Sequence, residues 1–108
     1  MNADEYQKLA MRTAINGSVD WINVGLGLAG EAGEVADHIK KASFQGHSID
    51  ISHLKEELGD VLWYVTLGCQ RGGFTLSDLM QSNIEKQEHR YPHGFSPEAS
   101  KGRDDGEF

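Results

Sequence analysis

Apolar residues recur along this chain at the spacing of α-helices. The clearest run follows the i, i+4, i+7, i+11 pattern of one helix face and consists of Leu28, Ala32, Val35 and Ile39. Asp20 or Asn23 can cap this helix, and Gly46 is placed to stop it soon after Phe44. The pattern therefore predicts one long helix in the first half of the chain.

A shorter helix is predicted before it. This helix runs from about Ala3 to Asn16, with Asn2 as its N-cap and Gly17 as its breaker. Asp4 and Glu5 lie at its amino-terminal end, where the helix dipole favours negative charge.

Two further helices are predicted after the long one. Ser52 can cap a third helix that ends at Gly72-Gly73, and its apolar stripe is Leu54, Leu58, Val61, Leu62, Val65 and Cys69. Thr75-x-x-Asp78 resembles a capping box for a fourth helix that reaches about His89. Its residues predicted to face inward are Leu76, Leu79, Met80 and Ile84.

The predicted fold class is all-α, with four helices in one domain. No alternation typical of strands persists anywhere, and 108 residues suit a single small core. Residues 1–95 form the predicted domain, and residues 96–108 form a polar tail expected to be flexible. A domain of this size gains little stability from its own core, which makes oligomerisation plausible.

The composition narrows the classes of partner. With 17 acidic and 10 basic residues, the chain carries a formal charge of -7, which argues against nucleic acid as the main partner. No apolar stretch is long enough to span a membrane, and no signal pattern is present. Cys69 is the only cysteine, expected to be a buried small hydrophobe, so no disulfide can form within the chain. A cytoplasmic location is expected.

Two acidic pairs carry the candidate chemistry. Glu31-x-x-Glu34 lies on the second helix and Glu57-x-x-Asp60 on the third, each close to the apolar face. If the two helices pack together, four carboxylates converge without a lysine or arginine among them. Two such charges about 4 Å apart repel by about 4 kcal/mol at an effective dielectric constant of about 20. A hard divalent cation relieves this repulsion, so the sequence predicts a magnesium site.

A glycine-rich string beside the first acidic pair has a simpler explanation than nucleotide binding. Gly25, Gly27 and Gly30 fit G-x-G-x-x-G, but the string lacks the preceding strand and the βαβ context of a dinucleotide fold. We expect these glycines to allow close helix packing and to leave room for a metal. The five histidines lack the Glu-x-x-His spacing of di-iron bundles, and histidine ligation is not expected.

Three strings in this chain resemble one family. GLAGEAGEVADHIKK, EELGDVLWYV and NIEKQEHRYPHGF are similar to the MazG family of all-α nucleoside triphosphate pyrophosphohydrolases. That family is marked by E-x-x-E followed some 20 residues later by E-x-x-D, and here 22 residues separate Glu34 from Glu57. The resemblance extends over about Ala3 to Phe95.

The resemblance implies hydrolysis between the α- and β-phosphates of a (d)NTP, giving monophosphate and pyrophosphate, for cleansing or adjusting nucleotide pools. It implies magnesium, for which Mn2+ can substitute, held by the four catalytic carboxylates, Glu31, Glu34, Glu57 and Asp60. It further implies that Asn83 and Lys86 approach phosphate or sugar, that Arg90 and Tyr91 close over a neighbouring site, and that the assembly is a homodimer or homotetramer.

Two questions stay open from sequence alone. Trp21 and Trp63 are candidates to stack on the base, although a core or interface role for Trp63 is equally compatible with its position. The function has alternatives too, because a catalytically silent helical dimerisation module, or a hydrolase of another nucleotide phosphate, would share this scaffold.

Overall fold

The computed structural model describes residues 1–14 and 20–102. It contains five α-helices: α1 (Ala3–Ala10), α2 (Trp21–Phe44), α3 (Ile51–Gly72), α4 (Leu76–Arg90) and α5 (Pro97–Gly102). A 3-10 turn over Met11–Thr13 follows α1. The described residues form no strand, which confirms the all-α class.

Side-chain caps begin three of the helices as predicted. Asn2 accepts a hydrogen bond from the Glu5 backbone N–H at 2.8 Å, and Asp20 accepts one from the backbone N–H of residue 23 at 2.7 Å. Thr75 and Asp78 form the predicted capping box at the start of α4. These bonds satisfy amide groups that have no acceptor inside the helix.

Three boundaries differ from the prediction. The cap of α3 is Asp50, not Ser52, because the Asp50 carboxylate accepts the His53 backbone N–H at 3.1 Å. The first helix is α-helical only to Ala10 and tightens into the 3-10 turn, while its predicted end at residue 16 lies outside the described residues. The short helix α5 was not predicted; the Ser96 hydroxyl accepts an N–H at its start.

The helices α2 and α3 form an antiparallel pair. Val24 near the start of α2 packs beside Gly68 near the end of α3, and further along α2 the backbone of Gly27 lies against the ring of Tyr64. Gly73, with φ of 79°, ends α3 in the left-handed conformation that favours glycine.

The amino-terminal segment joins α3 to α4 through side-chain hydrogen bonds. The Gln7 amide accepts the Leu76 backbone N–H at 2.7 Å and donates to the Phe74 carbonyl at 3.3 Å. The Trp63 indole N–H donates to the Ala10 carbonyl at 3.1 Å. The end of α1 and the start of α4 are thereby held against α3.

The buried core of the chain is small. Its fully buried apolar side chains include Leu67 and Cys69 on α3, and Val24 and Leu76 are nearly as buried. Cys69 is buried as predicted, and burial raises the pKa of its thiol.

Several positions predicted to face inward are exposed in the single chain. The large ones are Ile39, Leu58, Leu62, Met80 and Ile84. The helical periodicity was correct, but no other element among the described residues covers these side chains. In residues 1–14 and 20–102, no helix is long and apolar enough to cross a membrane.

Candidate active site

A polar cavity of about 230 Å³ lies between α2, the following loop and the start of α3. Its lining is almost entirely ionisable and includes Glu34, Asp37, His38, Lys41, His53 and Glu57. One member of each predicted acidic pair, Glu34 on α2 and Glu57 on α3, therefore faces the same space.

Glu57 is the most buried acid of the predicted set. Its side chain is only 10% exposed, and its Oε1 lies 2.7 Å from Nδ1 of His38, which is equally buried. The other oxygen, Oε2, lies 3.8 Å from Nε2 of His53. A carboxylate in this position requires hydrogen-bond or charge partners, because desolvating it without them is costly.

The other three acids are less buried than Glu57. In the single chain Glu31 is half-buried, whereas Glu34 and Asp60 are exposed. All lie between two helix contacts, Gly27 against Tyr64 and His38 against Glu57. At 1.5 Å of rise per residue, these two contacts lie about 10 Å apart along α3 and about 16 Å apart along α2. The cavity itself is lined by Glu34 and Glu57 but not by Glu31 or Asp60.

The electrostatic surroundings of the acids differ from the sequence prediction in one respect. Lys41 lies on the cavity wall, although no basic residue was expected there. Its ammonium lies 3.0 Å from the Asp37 carboxylate, and the hydrogen bond and charge of Asp37, followed by the charges of Glu34 and Glu57, raise the pKa of Lys41. The sequence pattern did not predict this position of Lys41, because the residue lies two turns beyond Glu34 and its side chain extends back along the helix.

Asp60 has a different neighbour. Burial raises the pKa of the Tyr6 phenol, and the negative charge of Asp60 raises it further. The first helix therefore brings a hydroxyl group into the field of the second acidic pair, an arrangement that no local sequence pattern indicated.

Two histidines also lie at the site, where the sequence analysis expected no histidine ligation and assigned histidines no other role. Ligand atoms of His38, His53 and Glu57 all lie within 4.8 Å of one another, a grouping that could hold a metal ion. The two imidazole rings stack with their centroids 5.6 Å apart. The i, i+4 spacing of His53 and Glu57 was the one signal available in the sequence.

The residues predicted to bind phosphate lie elsewhere on the chain. Asn83 and Lys86 line a separate groove of about 600 Å³ along α4. Tyr91 contributes to a third cavity and packs on Phe95 with 5.4 Å between ring centroids. Arg90 is half-buried at the end of α4.

The two tryptophans differ in their surroundings. Trp21 is exposed at the start of α2, and the Arg71 guanidinium lies 5.4 Å from the centroid of its ring. Trp63 is half-buried, donates to the Ala10 carbonyl and meets Tyr64 edge to face. The contacts of Trp63 are thus those of a packing residue.

Comparison with known proteins decides the family. A sequence model of the MazG nucleotide pyrophosphohydrolase domain matches residues 22–95. The chain belongs to the MazG family. The match contains both acidic pairs as well as Asn83, Lys86, Arg90 and Tyr91. Membership supports a nucleotide substrate and pyrophosphohydrolase chemistry that depends on a divalent metal.

Two individual proteins are similar to this chain. The Gene 37 protein of Mycobacterium phage L5 is 36% identical in an alignment 105 residues long, which covers 87% of this MazG chain and 92% of the phage protein. The Bacillus subtilis protein YabN is 44% identical over 50 residues, which cover 43% of this chain and 10% of YabN. No solved structure matches the chain.

Proposed function

We propose that this protein is a magnesium-dependent nucleoside triphosphate pyrophosphohydrolase that converts a (d)NTP and water to a (d)NMP and pyrophosphate. Its role would be to cleanse or adjust the cytoplasmic nucleotide pool. The observation that carries the proposal is that Glu34 and Glu57, one from each acidic pair, line a common cavity between paired helices.

The chemistry of these donors fits magnesium. Carboxylate oxygens are the hard ligands that Mg2+ prefers, and the set proposed to hold it is Glu31, Glu34, Glu57 and Asp60. When bound, Mg2+ neutralises phosphate charge and lowers the pKa of a coordinated water. The mutual repulsion of the acids is the physical reason for a cation at this place.

The residues of the chain would divide the remaining tasks. Glu34 or Glu31 is our candidate to orient the attacking water and accept its proton, because Glu57 is already bonded to His38. Lys86 offers a point charge to the leaving pyrophosphate and Arg90 a planar fork of donors. Trp21, exposed at the start of α2, is the better placed of the two tryptophans to stack on a base.

The separation of the acids from Asn83 and Lys86 supports an assembled site. These two groups of residues line different cavities of one chain. We propose that α4 of a neighbouring subunit brings its Asn83 and Lys86 to the acids, in a homodimer or homotetramer. The exposed apolar side chains on α2, α3 and α4 are consistent with such an assembly.

A substrate panel tests the proposal. The purified protein with Mg2+ is given the four bases as ribo- and deoxyribonucleoside triphosphates, together with diphosphates, and products are identified by chromatography. We expect monophosphate and pyrophosphate in equal amounts, and no activity in Glu34→Gln. Orthophosphate as the first product would contradict the assigned bond, and cleavage of diphosphates alone would favour another nucleotide phosphate as substrate.

A control variant separates the site from general charge effects. Glu56 lies one position before Glu57 on α3, and its side chain is 77% exposed. Glu56→Gln removes the same charge as Glu34→Gln, but Glu56 is not one of the proposed metal ligands. We therefore expect this variant to retain nearly full activity. Equal losses in the two variants would mean that the net charge of the surface, not a specific ligand, supports hydrolysis.

The second candidate is a catalytically silent dimerisation module, which the exposed apolar surface favours. The two candidates differ in their response to magnesium. A genuine site stabilises the folded state by about 2.7 kcal/mol when free Mg2+ is 100 times its dissociation constant. A silent module predicts no change in melting temperature with Mg2+ and no hydrolysis of any nucleotide in the panel.

A further inference from the structure

His38 links the buried acid Glu57 to the loop that precedes α3. Its Nδ1 lies 2.7 Å from Oε1 of Glu57, and its Nε2 lies 3.1 Å from the backbone nitrogen of Asp50. The ring is almost enclosed, with 10% of the side chain exposed. One imidazole thus contacts a candidate metal ligand on one side and the main chain on the other.

The backbone group determines which ring nitrogen carries the hydrogen. The Asp50 amide can only donate, so Nε2 of His38 must present its lone pair. A neutral ring then carries its hydrogen on Nδ1, which donates to the Glu57 carboxylate. The other tautomer does not fit, because it would set the Nε2–H group of the ring against the N–H of Asp50.

We propose that His38 is a positioning residue for Glu57. This inference rests on the proposed function, in which Glu57 is a metal ligand. The Nδ1–H group holds Oε1, fixes the rotamer of the carboxylate and leaves Oε2 for the cation. Ligating carboxylates are commonly held in this way, and loss of such an outer hydrogen bond typically weakens metal affinity by about 10–100-fold.

The same residue also anchors the start of α3. Asp50 donates its backbone N–H to His38, while its carboxylate caps the helix through the backbone N–H of His53. The position of the α3 amino terminus is therefore tied to α2 through one imidazole. Loss of His38 should affect both the fold and the metal, and the test must separate these two effects.

The competing assignment makes His38 a direct metal ligand together with His53 and Glu57. Ligation through Nδ1 would require the hydrogen to move to Nε2, where it would meet the Asp50 N–H. The hydrogen bonds in the structure therefore favour His38 as a hydrogen-bond donor to Glu57. They do not favour it as a ligand of a softer ion such as Zn2+.

Two isosteric variants separate the two hydrogen bonds. Asparagine places an amide nitrogen near the position of Nδ1, so His38→Asn keeps the donor to Glu57 and loses the acceptor for Asp50. Glutamine places its terminal amide near Nε2, so His38→Gln keeps the acceptor and loses the donor. The readouts are Mg2+ affinity by calorimetry without nucleotide, and the melting temperature without metal.

The expected results are opposite for the two variants. His38→Gln should weaken Mg2+ binding by about 10–100-fold with a melting temperature near that of the wild type. His38→Asn should melt at a lower temperature but retain most of the Mg2+ affinity. Wild-type Mg2+ affinity in both variants would overturn the proposal, as would equal loss of affinity in both, which would indicate a structural role only.

Two measurements make this test independent of catalysis. Long-range 1H–15N NMR should show a hydrogen on Nδ1 of His38 and a lone pair on Nε2; the opposite tautomer would overturn the inference. Tight Zn2+ binding that both His38→Asn and His53→Ala abolish would overturn it too, because His38 would then be a ligand. If the Mg2+ results hold but no nucleotide is cleaved, the proposed function fails and the positioning role stands.

Discussion

Trp63 shows how one side chain of this protein joins separate parts of the chain. Its indole N–H donates to the Ala10 carbonyl at the end of α1, and its ring meets Tyr64 edge to face at 5.0 Å between centroids. The sequence allowed either base stacking or packing for this residue. The hydrogen bond to a main-chain carbonyl favours packing, because an indole N–H enclosed by protein usually finds such an acceptor.

The first prediction concerns this hydrogen bond. Trp63→Phe keeps an aromatic ring but removes the indole donor to the Ala10 carbonyl, which also accepts a hydrogen bond from the Thr13 hydroxyl at 3.1 Å. We therefore expect the free energy of unfolding to fall by about 1 kcal/mol. The matched control is Trp21→Phe at an exposed position, which should change stability by about 0.5 kcal/mol or less. Denaturant unfolding of both variants measures the difference. Equal stability of the two would contradict the role assigned to Trp63.

At the scale of the element, the pairing of α2 with α3 depends on a close approach. A Cβ atom at Gly27 would overlap the ring of Tyr64, whereas a Cβ at Gly25 would meet nothing within 4 Å. The glycine-rich string therefore serves close helix packing at Gly27, as expected from the sequence. Tyr64 itself is held by Trp63, so the ring cannot move aside without disturbing the contact to α1.

The second prediction follows from this contrast. Gly27→Ala should destabilise the fold by about 1–3 kcal/mol through overpacking, despite the better helix propensity of alanine. Gly25→Ala, one half-turn away, should be neutral or stabilising by up to about 1 kcal/mol. Melting temperatures report both effects. In a Tyr64→Ala background the cost of Gly27→Ala should largely disappear, and an unchanged cost would place the clash elsewhere.

The helices also show what local sequence patterns can predict. Asn2, Asp20 and Thr75 cap the helices that they were expected to cap, because a cap needs only residues a few positions away. The third cap was wrong by two residues. Asp50 and Ser52 are both good caps in isolation. One of the contacts that favour Asp50 is the hydrogen bond from its backbone N–H to His38, which is 12 positions away in the sequence.

At the scale of the whole molecule, the single chain is open. Its Cα radius of gyration is 16.7 Å, whereas a compact domain of this length has about 13 Å. Large apolar side chains on different helices are exposed, among them Leu26 at 72% and Ile84 at 53%. So much apolar surface is typical of an element that packs against another copy.

The third prediction therefore concerns the oligomeric state, measured as the mass of the assembly in solution. Sedimentation equilibrium should give about two or four times the 11.9 kDa of one chain, within the range that the family resemblance implies. Ile84→Glu should shift the equilibrium towards monomer, because it would bury a charge in the proposed contact. Gln87→Glu on the same helix adds the same charge at an exposed polar position and serves as the control. A wild-type monomer at micromolar concentration would contradict the assembled site.

Short-range spacing and motifs were sufficient to predict α1 to α4, most of their caps, the all-α class and the family, but not the short helix α5. The surroundings of each acid could not be predicted in this way. The bond of Glu57 to His38, the approach of Lys41 and the placement of Asn83 in a separate groove all depend on how helices align. A periodic pattern shows that a helix has an apolar face, but the register between helices depends on contacts between residues distant in sequence.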